Sequence, residues 1–201
     1  VSVSTFGTEA NLGSYNPAIS GDGHWVAFES NADNLVPGDT NAKRDIFLHD
    51  RQTGTTSRIS VGPAGVEADD NSYEPALSRD GRYVAFYSYA ANLVPEDINP
   101  DGDVFLRDTQ QGITSLVSVS TAGTQGNKSS YNPAISADGR YVAFSSIADN
   151  LVSGDSNGKT DVFLRDTVLE ATSLVSVSTA GVQAEGGSYT PSISADGRYV
   201  A

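Results

Sequence analysis

Cysteine and methionine are absent from these 201 residues, lysine occurs only three times, and no apolar run is long. Without cysteine the chain has no disulfide, no thiolate nucleophile and no zinc site of the cysteine type. The compartment is left open by that absence. Without methionine, Val1 is not a translated start, so the sequence reads as a processed form or an excerpt of a longer array. Acidic residues number 25 against 12 basic ones, a net charge of −13. This balance disfavours nucleic acid and anionic membrane, which both need clustered Lys and Arg to neutralise phosphate. No window approaches the roughly 18 apolar residues that span a bilayer, and no charged-then-apolar leader stands at the N-terminus. Membrane insertion is not expected. Helical periodicity is missing as well, so no helix longer than a turn is expected.

What is present is repetition. The stretch beginning at Tyr15 returns at Tyr73, Tyr131 and Tyr189, each time 58 residues later. SYNPAISGDGHWVAF, SYEPALSRDGRYVAF, SYNPAISADGRYVAF and SYTPSISADGRYVA mark one phase; RDIFLHD, GDVFLRD and TDVFLRD mark another. Self-similarity at such a period is the signature of solenoids and propellers. Within one copy, short apolar runs rich in Val, Ile, Phe and Tyr alternate with Gly, Asp, Asn and Pro clusters, which predicts strands and turns throughout. The first copy predicts strands at 16–20, 25–28, 46–48 and 55–61, with Gly54 left-handed in a hairpin turn after Asp50. Four strands per copy, with apolar runs buried on both faces, is what a propeller blade needs. The expected fold is an all-β propeller of four-stranded blades. Its expected divisions are a partial blade at 1–13, repeats at 14–71, 72–129 and 130–187, and a partial blade at 188–201.

The phrase P-[AS]-[IL]-S-x-D-G-[RH]-[YW]-V-A-F, followed at a distance by D-[IV]-F-L-[RH]-D, resembles the repeats of the TolB-type propeller. The resemblance runs through all three complete repeats and both partial ones. It implies a propeller fold and a periplasmic or extracellular setting, with a role as a scaffold or protein-binding platform. The alternative it leaves open is a fragment of a propeller enzyme, a glycoside hydrolase or a peptidase-associated propeller, whose catalytic residues are not recognisable here. The copies depart from the compact family pattern by about a dozen residues inserted between strands two and three.

That insertion carries Asp-x-Asn-x-x-x-Asp in every copy: Asp39, Asn41 and Asp45; Asp97, Asn99 and Asp103; Asp155, Asn157 and Asp161. Alternating carboxylate and amide oxygens can wrap a hard cation, and Ca²⁺ takes six to eight oxygens in irregular geometry. Asp97-x-Asn99-x-Asp101-Gly102 resembles the first half of an EF-hand loop. Two readings stand: these residues are calcium ligands, or they close Asx-turns on their own backbone with no ion. Asp50, Asp108 and Asp166 are assigned to the hairpin turn. Asp22, Asp80, Asp138 and Asp196 are assigned to capping the Ser-x-Asp-Gly turn, and Asn34, Asn92 and Asn150 to the same job in the long loop.

Catalysis needs a special constellation, so departures from the repeat matter most. His24 and His49 replace Arg of the other copies and read as exposed substitutions. Trp25 stands where the other copies have Tyr and reads as a core or blade-interface aromatic. No catalytic residue is identified. Three blades and two partial ones fall short of the usual minimum of about four for a closed ring. A protein partner or a second copy of the chain is therefore expected to complete it.

Overall fold

The computed structural model describes residues 1–201 and consists almost wholly of antiparallel strands and turns. The first sheet is β1 (Ser14–Ile19), β2 (Trp25–Ser30), β3 (Asp45–Asp50) and β4 (Thr56–Arg58). The second is β5 (Ser72–Leu77), β6 (Tyr83–Ser88), β7 (Asp103–Asp108) and β8 (Ile113–Leu116). The third is β9 (Ser130–Ile135), β10 (Tyr141–Ser146), β11 (Asp161–Asp166) and β12 (Ala171–Leu174). Each sheet is a meander in sequence order, one blade per repeat. The only helical element is a single turn at Pro63–Gly65. No helix is long and apolar enough to cross a membrane.

Strand faces alternate bulk. In β6, Val84 and Phe86 point to the first blade while Ala85 points to the third, and all three are fully buried. Large side chains on one face thus meet alanine on the next, the interdigitation that fills a core without voids. One core joins Ala27, Ile46 and Leu48 to Val84, Phe86 and Phe105; another joins Ala85, Val104 and Leu106 to Val142, Phe144 and Phe163.

The predicted fourth strand is longer than the observed one. The Ile59 N–H still reaches the Ile46 carbonyl (2.7 Å), but the Val61 N–H then bonds back to the Ile59 carbonyl (2.8 Å), which kinks the chain at Ser60. Val61 goes on to bridge Glu67, and the same bridge recurs at Val3 with Glu9, Val119 with Gln125 and Val177 with Gln183.

Two rows of backbone hydrogen bonds tie blade to blade. At one end the N–H groups of Gly21, Arg79 and Ala137 donate to the carbonyls of Arg79, Ala137 and Ala195, each at 2.9 Å. At the other, Ser72, Ser130 and Ser188 donate to Arg44, Gly102 and Thr160 at 2.7–2.8 Å. The Ser-x-Asp-Gly turn adds a third contact. Gly81 and Gly139 have positive φ, and a Cβ at either would lie 2.2–2.3 Å from the ring of Trp25 or Tyr83 of the preceding blade. Trp25 is therefore a blade-interface aromatic, as expected.

Candidate functional site

The turn residues lie where the sequence puts them. Asp22 Oδ1 accepts from Ser20 Oγ (2.6 Å) and from the His24 N–H (2.9 Å), and the Asp80, Asp138 and Asp196 turns repeat this arrangement. Asp166 Oδ1 accepts two turn amides and its carboxylate takes a bidentate grip from Arg140, whose hydrogen bonds hold its pKa down to about 2. Asp50 and Asp108 cap the equivalent turns.

Three expectations need correction. Asn34, Asn92 and Asn150 do not cap their own loop: each donates to a linker carbonyl of the preceding copy (Glu9, Glu67 and Gln125, all 2.8 Å). His49 is buried, with Nδ1 2.9 Å from Thr56 Oγ1, the same hydroxyl position that Arg107 and Arg165 reach in the other blades. His24 is half-buried, with Nε2 2.7 Å from Asp50 Oδ1, the place Arg82 and Arg140 take elsewhere.

The structure draws the two Asp residues of each long loop together and supplies them with protein donors. In blade two, the Gln125 amide donates to both Asp97 (2.8 Å) and Asp103 (2.7 Å); in blade three Gln183 does the same for Asp155 (2.7 Å) and Asp161 (3.0 Å). Blade one has Glu67 where the others have Gln, and Arg58 where they have Leu116 and Leu174. There the Arg58 guanidinium lies 3.1 Å from Asp39, 3.6 Å from Asp45 and 2.6 Å from Glu67. Ser60, Ser118 and Ser176 each give a 2.5 Å hydrogen bond to Asp45, Asp103 and Asp161.

The asparagines link the loop carboxylates to the backbone. Asn41 and Asn157 donate Nδ2 to Asp45 (2.9 Å) and Asp161 (2.8 Å), while their oxygens accept the N–H of Lys43 and Lys159 in Asx-turns. Asn99 likewise accepts from the Asp101 N–H (2.8 Å), and the Asp101 carboxylate faces Ser129 (3.3 Å) rather than the Asp97–Asp103 pair. No group of three or more His, Cys, Asp or Glu side chains is arranged to hold a metal. Burial, followed by the neighbouring Asp45 charge, raises Asp39 to about 6; burial raises Asp103 to about 7.

A second site escaped the sequence reading. In each first strand the pairing register breaks at the residue before proline. Asn16, Glu74 and Asn132 sit there, and Thr190 before Pro191, with φ of 47°, 52°, 52° and 49°. Proline steers its predecessor toward extended backbone, so a left-handed residue there is strained. Such strain costs on the order of 1–3 kcal/mol and gathers at functional sites. Asparagine tolerates it best; Glu74 and Thr190 are genuine outliers. The bulges turn these side chains to the axis, where they and Pro17, Pro75, Pro133 and Pro191 line a cavity of about 340 Å³. Every copy of the repeat contributes the same two positions. The available signal was the one changing letter in SY-x-P.

Around this cavity the copies differ in compensated ways. Arg44 spans the blades, its guanidinium over the rings of Tyr15 (4.9 Å) and Tyr73 (5.2 Å) and paired with buried Glu29 (2.9 Å). Blade two has Gly102 at the position of Arg44, and Tyr89 packs over it beside Tyr73 and Tyr87. In blade three Thr160 lies 3.1 Å from the Tyr131 hydroxyl.

No family model and no curated protein matches the chain. Among solved structures it is similar to TolB from Acinetobacter baumannii, at 17% identity and a TM-score of 0.56 over 94% of this chain and 37% of that one. The fold is a TolB-type β-propeller. A TolB described as putative, from Agrobacterium tumefaciens, aligns at 17% identity and a TM-score of 0.58, covering 94% of this chain and 53% of that one. The propeller domain of the Trilobed protease from Pyrococcus furiosus aligns at 18% identity and 0.52, covering 82% and 43%. The chain thus spans between about a third and a half of each TolB structure it resembles.

Proposed function

We propose that this chain is a non-enzymatic propeller module that docks a protein segment at its axial mouth. The observation that carries the reading is the set of four strained pre-proline residues, three of them in strand bulges, that present Asn16, Glu74, Asn132 and Thr190 to one cavity. Backbone strain recurs at this position in all four copies, while the side chain there is Asn, Glu, Asn and Thr in turn. A cavity of about 340 Å³ is at the small end of ligand sites, the size for one or two side chains of an extended segment.

The enzyme alternative draws on the likeness to a protease's propeller domain. It would place catalysis outside these residues, since His24 and His49 serve Asp50 and Thr56 and the buried loop aspartates are bonded to Ser, Gln or Arg.

The test is selection of binders from a random-peptide display library, followed by binding to Asn16→Lys, which plugs the cavity from an exposed position. Selected peptides should weaken at least about tenfold on this variant and keep their affinity for Gln110→Ala on a distant hairpin. Equal binding to both variants would remove the axial mouth as the docking site.

For the long loops, we propose that protein donors do the work of an ion. Gln125, Gln183 and Arg58 occupy the space between the paired carboxylates, which favours the Asx-turn reading over calcium. Melting in 5 mM-scale calcium (about 5 mM, within reach of extracellular-type sites) should match melting in chelator. A rise of several degrees with calcium would restore the ion-binding reading.

A further inference from the structure

Resting on the docking reading above, we propose that the group seated in the axial cavity is a lysine ammonium of the partner segment, with Glu74 as its counter-charge and Asn16, Asn132 and Thr190 as its acceptors.

Glu74 is the only ionisable residue among the eight that line the cavity. The carboxylate takes a hydrogen bond from Asn132 Nδ2 (2.7 Å) and the Asn132 backbone N–H also lowers its pKa, so its protein partners are neutral donors and no cation pairs with it. Asn16 and Thr190 are exposed at the cavity rim, with their side-chain polar atoms open to solvent. These side chains line one cavity, where a donor-rich group can bond several of their oxygens at once.

The nearby cation does not quench Glu74. Arg44 is committed to Glu29, whose other oxygen accepts the Glu74 N–H at 2.8 Å. Glu29, fully buried, thus holds the strained Glu74 backbone in place and absorbs the arginine charge at once. Burial raises the Glu74 pKa, the mark of a carboxylate that has lost water without gaining a cation. Of the possible cations, a calcium ion would find one carboxylate and three neutral side-chain oxygens, fewer than the six to eight it takes. A guanidinium prefers a flat bidentate face, whereas an ammonium is a compact point charge with three donors, suited to acceptors set around an axis. The net charge of −13 draws a basic segment toward the molecule.

The probe is Nα-acetyl-lysine-N-methylamide, titrated into the intact chain and followed by backbone amide NMR. Shifts at Glu74, Asn132, Thr190 and Asn16 are expected, absent with the ε-acetylated probe. Glu74→Gln should weaken binding about tenfold, and Asn16→Asp, which adds a second carboxylate from an exposed position, should tighten it, so failure of one variant to fold leaves the other as the test. Equal shifts from the ε-acetylated probe, tighter binding of the arginine analogue or of putrescine, or displacement of the lysine probe by equimolar calcium chloride would each overturn the assignment. If peptides selected at the axial mouth lack lysine, this inference falls and the docking reading stands. If selected peptides ignore Asn16→Lys, both fall.

Discussion

In the long loops, Asp39, Asn41 and Asp45 spend their polar atoms on Arg58, Ser60, Lys43 and Ala68; at the axial mouth, Glu74, Asn132, Asn16 and Thr190 line one cavity, and no cation pairs with Glu74. The loop residues recur in every copy, whereas the axial residue is Asn, Glu, Asn and Thr in successive copies. Recurrence here marks what each blade needs in order to fold. Variation at one strained position is what the proposed docking would use for recognition.

The loops also sharpen the comparison among themselves. Blade one solves the repulsion of its paired carboxylates with a cation, and blades two and three with an amide. Arg58→Leu, the residue of the other copies, should strip Asp39, Asp45 and Glu67 of their shared cation and cost about 3 kcal/mol, measured by denaturant unfolding. Adding Glu67→Gln should recover most of that loss by recreating the arrangement around Gln125. A double variant no better than the single would break the equivalence of the two solutions.

The next effect is in pH. The Asp103 carboxyl is raised by burial to about 7, so between the ordinary aspartate value and 7 the unfolded chain releases its proton first. Stability from this group is therefore lost as pH rises through that window. Asp39, raised to about 6, acts in the same direction over a narrower range. Asp166 has the opposite sign: held down to about 2 by Arg140, it contributes stability above the ordinary value that is lost as pH falls toward 2. Melting followed from pH 5 to 8 should decline, and Asp103→Asn should flatten the decline.

The smallest effect concerns the third hairpin, where Glu170 takes the left-handed position (φ 53°) that Gly54 and Gly112 occupy in the other blades. Glu170→Gly should stabilise by about 1 kcal/mol, since the bond from Arg165 goes to the Glu170 carbonyl and survives the change.

Much of the fold was legible because three complete repeats display it: strand order, the Ser-x-Asp-Gly caps and the hairpin turns at Asp50, Asp108 and Asp166 all lie where the local pattern puts them. The fourth strand read too long because Val61 is apolar and β-branched, and nothing local announces the kink at Ser60. The loop carboxylates were found by spacing, but their partners were not. Gln125 lies 28 residues from Asp97 and reaches it only across the blade-to-blade linker. His49 read as exposed because the copies around it carry arginine; burial beside Thr56 needs the folded neighbour. The axial bulges ran against local preference, since the residue before proline is steered away from the left-handed region, and tertiary packing overrode it.

The central claim is that ligands meet this molecule on its axis rather than in its acidic loops. Amide NMR of the chain with a library-selected peptide tests it directly. The account predicts the largest shifts at Asn16, Glu74, Asn132 and Thr190, with residues 32–45, 90–103 and 148–161 unmoved. Shifts confined to those three loops, with the axial amides silent, would contradict it.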